Sequence, residues 1–127
     1  MKVFIADDSR IMRERIASAL SDNNELEVVG QAENSTQAIE FIPQLKPDAV
    51  ILDFRMPDGS GIDVLRSIKK ESQPPVVMML TQHSYPEIRK RCLDAGADYF
   101  FDKSTEIEKL LDLMGMLNKT SFQGVAV

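Results

Sequence analysis

The sequence predicts an α/β fold: an open sheet of five parallel strands with five helices packed on its two faces. Two observations carry this. Five short apolar runs alternate with five amphipathic helical patterns from one end of the chain to the other. Most of the runs are apolar throughout instead of alternating, as strands covered on both faces are. A chain that repeats strand then helix builds a parallel sheet, because each return to the same edge needs a crossover.

The first run is Val3–Ala6, followed by a helix in which Met12, Ile16, Ala19 and Leu20 share one face while Arg10, Arg13 and Glu14 lie off it. The second run, Val28–Gln31, leads to a helix with Ala38, Phe41, Ile42 and Leu45 inward. Ala49–Leu52 is the third, and the helix after it is short, from Gly61 to about Lys70, with Leu65 and Ile68 inward. Val76–Leu80 precedes a fourth helix striped by Ile88, Cys92 and Ala95, leaving Arg89, Lys90 and Arg91 mostly outward. Tyr99–Phe101 precedes the fifth, which carries Ile107, Leu110, Leu111, Met114 and Leu117. Ser84-Tyr-Pro-Glu87 and Thr105-Glu-Ile-Glu108 fit capping boxes, and Gly96 sits where the fourth helix should stop.

With 127 residues, 43% hydrophobic and 28% charged, the chain is expected to form one domain, residues 1–120, with a short tail over 121–127. A net charge of −5 argues against direct nucleic-acid binding, which relies on basic patches. The one cysteine, Cys92, has no partner for a disulfide and lies at core spacing, so a reducing cytoplasmic setting is expected and a catalytic thiol is not. No apolar run approaches the roughly 18–20 residues that span a bilayer.

In open α/β sheets the ligand crevice lies beyond the carboxyl ends of the strands. The residues just after the runs are Asp7 and Asp8, then Ala32 and Glu33, Asp53, Thr81, and Lys103. Taken singly, each has a plain reading as a cap, a turn residue or a solvated lysine. Together they bring three acids, a hydroxyl and an ammonium to one edge. Such a set suits Mg²⁺, which takes one or two carboxylates and keeps several waters. A carboxylate can also act as a nucleophile and form an aspartyl-phosphate. The equatorial oxygens of a transferring phosphoryl group then need a metal cation, an ammonium and a hydroxyl.

The stretches I-A-D-D-S-R at 5–10, L-D-F-R-M-P-D-G-S-G at 52–61, M-L-T at 79–81, A-G-A-D-Y-F-F at 95–101 and the following D-K-S resemble the receiver domain of two-component response regulators. The resemblance implies a flavodoxin-like sheet of strand order 2-1-3-4-5. It implies that Asp53 accepts a phosphoryl group from a kinase's phosphohistidine, and that Asp7, Asp8, Asp53 and the backbone carbonyl of Arg55 bind Mg²⁺. Asp8 is expected to ligate directly and Asp7 at least partly through water. Thr81 and Lys103 would stabilise the phosphoryl oxygens, and Phe100 would be the aromatic whose rotamer follows phosphorylation. Its plain reading is a core ring. Arg55 and His83, two residues beyond Asp53 and Thr81, fall at positions that tune phosphoryl lifetime in the family, although His83 also reads as a solvent-facing loop residue.

Two departures stand out. In the family a proline, joined by a cis bond, commonly follows the lysine; here Ser104 does, and a cis bond without proline costs about 2.5–4 kcal/mol. Asp102 stands where an apolar residue is more usual, with the prospect of re-routing the pairing of Lys103.

The expected partners are a sensor histidine kinase or phosphotransfer protein, and a downstream protein target or a second copy. The expected output face is the fourth helix, fifth strand and fifth helix, with Arg89, Lys90 and Arg91 as a basic ridge and Leu113 and Met116 widening the apolar surface. Neither nucleic acid nor membrane is expected to bind this domain. An aspartate-nucleophile phosphatase would want an acid at position 55, where Arg55 stands. A flavin module would want a Ser-, Thr- and Gly-rich phosphate loop in place of D-D-S-R. A degenerate receiver would have lost part of the set. The chain ends soon after the fifth helix, which suits a single-domain regulator; a receiver taken from a longer DNA-binding transcription regulator is the alternative.

Overall fold

A computed structural model describes the backbone of residues 1–126 and the side chains of residues 1–118. The apolar runs become the strands β1 (Lys2–Ala6), β2 (Glu27–Ala32), β3 (Ala49–Leu52), β6 (Val76–Thr81) and β7 (Tyr99–Asp102). A small antiparallel hairpin, β4 (Arg55–Met56) and β5 (Gly59–Ser60), falls between β3 and the third helix and was not legible in the sequence. The main sheet is parallel with order β2-β1-β3-β6-β7, which is the expected 2-1-3-4-5 once the hairpin is set aside.

Each central strand splits its side chains between two cores, as the period of two along a strand requires. Phe4, Ala6, Val50, Leu52, Val77 and Met79 face one side, under α2 (Ser35–Leu45), α3 (Gly61–Ile68) and α4 (Pro86–Asp94). Val3, Ile5, Ala49, Ile51, Met78 and Leu80 face the other, under α1 (Arg10–Leu20) and α5 (Ile107–Ala126). The inward stripes read from the sequence supply the facing residues: Ile16 and Leu20, Ala38 and Ile42, Leu65 and Ile68, Cys92, Leu110 and Met114. Burial also holds the Cys92 thiol up, at about 11, so it stays protonated and unreactive.

Helix boundaries follow local chemistry in part. Ser9 and Asn34 cap α1 and α2 by accepting from the backbone N–H groups of Met12 and Gln37. Gly96, at φ 113°, takes the left-handed turn that ends α4, with the Ala97 N–H closing onto the Cys92 carbonyl at 3.0 Å. Both expected capping boxes at the later helices fail. Tyr85, not Ser84, holds the cap position of α4, because the Ser84 hydroxyl donates to Asp102 instead. α5 starts at Ile107, one residue later than a Thr105 cap requires. The backbone of α5 continues to Ala126, so the segment read as a tail is helical there, and its side chains lie outside the described residues.

The loop from Phe54 to Ser60 is pinned at a distance. The Asp58 carboxylate accepts from the backbone N–H groups and hydroxyls of both Ser35 and Thr36, at 2.6–3.0 Å, at the start of α2. The hydroxyls of Thr36 and Ser35, with the backbone N–H groups, hold that carboxyl well below its ordinary 3.8. A depressed folded-state value adds stability above the ordinary carboxylate range, and that stability is lost as pH falls toward the folded value. Thermal melts between pH 6 and pH 2.5 should therefore show Asp58→Asn less stable than the parent at pH 6. The gap should narrow steadily below about pH 4.

Candidate functional site

The carboxyl ends of β1, β3, β6 and β7 align because the strands are parallel and in register. That register brings Asp7, Asp53, Thr81 and Lys103 to one edge, as the sequence predicted. Asp53 leaves β3 with its N–H on the Ala6 carbonyl at 3.0 Å, so its side chain stands beside the acids that follow β1. Arg13 of α1 anchors those acids by donating from Nη1 to the Asp7 carbonyl at 2.6 Å.

Lys103 lies between two carboxylates. Its Nζ is 2.7 Å from Asp7 Oδ2 and 2.8 Å from Asp53 Oδ2, and all three side chains are buried. Asp7 Oδ1 accepts from the Ser9 N–H at 2.8 Å. Asp53 Oδ1 is buried with no hydrogen-bond partner among the described residues, which is costly for a carboxylate oxygen. Asp8 is exposed, and single oxygens of Asp7, Asp8 and Asp53 lie within 4.8 Å of one another.

Three carboxylates against one ammonium leave an excess of two negative charges. The titration directions follow burial first and these charges second. Burial pushes Asp7 up, and the hydrogen bonds from Lys103 and Ser9 offset this only in part. Burial alone would lower Lys103, but the hydrogen bonds and charges of Asp53 and Asp7 outweigh it and the net shift is upward. A site with surplus anion and an unpaired buried oxygen fits a divalent cation with oxygen ligands.

The site opens to a cleft of about 200 Å³ lined by Asp8, Ser9, Met12, Asp53, Arg55, Gln82, His83 and Lys103. Arg55 and His83 both border it. His83 is a half-buried loop residue at the cleft wall. Gln82 was missed; its only signal was adjacency to the end of β6. Thr81 is buried and stands beside the cleft without lining it, its Oγ1 accepting from the His83 N–H at 3.1 Å.

Asp102 does not compete for Lys103. Its Oδ1 accepts from the Ser104 N–H at 2.8 Å and hydroxyl at 2.5 Å, and its Oδ2 from the Ser84 hydroxyl. The Ser104 and Ser84 hydroxyls, with the Ser104 N–H, bring its carboxyl down to about 2. No cis peptide bond occurs among the described residues.

Phe100 is buried in the core under α4. The basic ridge beside it is less free than a solvated face. The Arg89 guanidinium lies 5.8 Å from the Phe100 ring centre, and Arg91 lies 5.6 Å from that of Phe54. Lys90 pairs with Asp94 at 3.1 Å. On α5, Leu113 packs against the core, while Met116 is 65% exposed.

The fold therefore joins a five-stranded parallel sheet to a cluster of three carboxylates and one lysine at its carboxyl edge. The family model of the response regulator receiver domain matches residues 3–114, and the chain belongs to that family. A response regulatory protein from Vibrio cholerae is 36% identical over 113 residues, covering 87% of this chain and 45% of that protein. The signal receiver domain of the response regulator NarL from Mycobacterium tuberculosis superposes with a TM-score of 0.84 at 30% identity, over 93% of this chain and 95% of that one. A DNA-binding response regulator of the LuxR family from Staphylococcus aureus gives a TM-score of 0.83 at 25% identity, over 92% and 98%. The chain spans about half the length, or less, of the curated relatives it matches. No helix among the described residues is long and apolar enough to cross a membrane.

Proposed function

We propose that this chain is a phosphorylation-dependent switch in which Asp53 is the phosphoacceptor. The observation that supports it most is Asp53 itself, with one buried oxygen held by Lys103 and the other unpartnered among the described residues, beside an open cleft. In the reaction a carboxylate oxygen of Asp53 forms a bond to phosphorus as the bond to the phosphohistidine nitrogen breaks, and the imidazole leaves with that electron pair. Lys103, already placed at 2.8 Å, neutralises charge on the phosphoryl oxygens. Thr81 donates its hydroxyl to the same group once the loop after β6 moves. Asp8 directly, Asp7 at least partly through water, Asp53, and the Arg55 carbonyl would hold Mg²⁺, which supplies positive charge to the transferring group when bound. Arg55 and His83, at the cleft wall, set how readily water reaches the adduct.

The donor is a sensor histidine kinase or a phosphotransfer protein, in the cytoplasm. The new bonds at Asp53 bias a two-state equilibrium of Thr81 and Phe100 beneath α4, and the face of α4, β7 and α5 meets a protein target or a second copy. A second reading, the receiver portion of a longer DNA-binding regulator, is supported by the half-length match to the relatives and by the LuxR-family likeness. Incubation with Mg²⁺ and acetyl phosphate tests the first claim. An adduct of one phosphoryl mass, stable in acid and labile in base, is expected. It should be absent when the metal is chelated. No adduct in the presence of Mg²⁺ contradicts the reading.

A further inference from the structure

We propose that Asp102 is a positioning residue that aims Lys103 at Asp53 and ties the loop after Thr81 to the same strand end. The inference rests on the receiver reading for its consequence, but on geometry alone for its substance. Asp102 is the last residue of β7 and stands in register with Thr81, the last residue of β6. From there its carboxylate reaches in two directions. Forward, it accepts from both the N–H and the hydroxyl of Ser104, fixing the residue just past Lys103. Sideways, it accepts from the hydroxyl of Ser84, three residues beyond Thr81. The Lys103 N–H bonds the Thr81 carbonyl at 2.9 Å, so the lysine backbone is held on both sides.

A long flexible side chain gains most from such anchoring, because its ammonium must meet two carboxylates at once. The same carboxylate links the loop that follows Thr81 to the loop that carries Lys103. A movement of the loop bearing Ser84 therefore either breaks this link or carries the end of β7 with it. Asp102 touches no carboxylate of the cluster and no reacting atom. It acts through Lys103.

The competing description is that Asp102 only stabilises the start of α5, where its N–H donates to Glu106 and its carbonyl accepts from the Glu106 N–H. The two differ in what a substitution does to Lys103. Competitive reductive methylation of the full chain, read lysine by lysine by mass spectrometry, measures the accessibility of each ammonium without any phosphodonor. In Asp102→Ala, labelling of Lys103 should rise about five-fold or more as its charge-assisted contacts loosen. Labelling of Lys69, ion-paired to Asp98 at the opposite end of β6 and β7, should not change. Asp102→Asn keeps an acceptor for the Ser104 N–H and should stay within about two-fold of the parent.

Unchanged Lys103 labelling in Asp102→Ala overturns the proposal, and so does an equal rise at Lys69, which would mean general loosening. If Asp102→Ala does not fold, the double variant Ser84→Ala/Ser104→Ala removes both hydroxyl donors and keeps the carboxylate. It should raise Lys103 labelling roughly two-fold, and no rise overturns the proposal. With acetyl phosphate and Mg²⁺, Asp102→Ala should form adduct about ten-fold more slowly than the parent, and Asp102→Asn should recover most of the rate. A parent protein that forms no adduct would sink the receiver reading and leave the labelling test standing.

Discussion

Gly61→Ala is expected to destabilise the fold by about 3 kcal/mol, the upper end of what overpacking costs. The position has no room. A methyl there would sit 2.3 Å from the Asp53 carbonyl oxygen and 3.1 Å from Phe54 Cα, and both are backbone atoms that cannot swing aside. The closeness serves the site: Gly61 is the first residue of α3, and its N–H bonds the Phe54 carbonyl at 2.5 Å, clamping the loop that leaves Asp53. Relief of the clash must move Asp53 or α3. Urea unfolding should therefore show a lower midpoint with an unchanged slope. Adduct formation should also slow, because the nucleophile's backbone is displaced. A variant as stable as the parent would show that the approach is looser than described.

Lys103→Ala has the second large effect. It removes the ammonium between Asp7 and Asp53 and leaves two buried carboxylates facing each other. Losing one partner of a buried ion pair costs roughly 3–5 kcal/mol when the remaining charge is uncompensated. Here Asp7, already pushed up by burial, can take a proton, which brings the expected loss to the lower part of that range. The signature is the response to Mg²⁺. A cation binding only the native state stabilises it by mass action, about 1.4 kcal/mol at ten times its dissociation constant. In the variant no ammonium competes for the carboxylates and the proton on Asp7 can leave as the cation enters, so the melting temperature of Lys103→Ala should rise more steeply with Mg²⁺. Equal responses would mean that the carboxylates do not form one cation site.

Much of this site could be read without coordinates, for a physical reason. In a parallel sheet the carboxyl ends of neighbouring strands fall at one edge, so the residue after each apolar run is a candidate by position alone. Asp7, Asp8, Asp53, Thr81 and Lys103 were all found that way. What stayed hidden involves partners distant in sequence. The grip of Asp58 on Ser35 and Thr36 spans 23 and 22 residues and has no local pattern. Ser84 carried a proper capping motif, yet Asp102, 18 residues away, took its hydroxyl. Arg89 and Arg91 read as solvated charge because nothing local says that Phe100 and Phe54 lie beneath them. The β4–β5 hairpin is two residues a side, too short for any period to show.

The acid pair at the end of β1 reads differently once the strand ends are assembled. Asp7 is committed inward to Lys103, while Asp8 faces the cleft. Peptide mapping of the acetyl phosphate adduct, trapped by borohydride reduction, tests most directly whether Asp53 is the acceptor. The modified residue should be Asp53, and Asp53→Asn should form no adduct. An adduct on Asp7 or Asp8, or an undiminished one in Asp53→Asn, would contradict it.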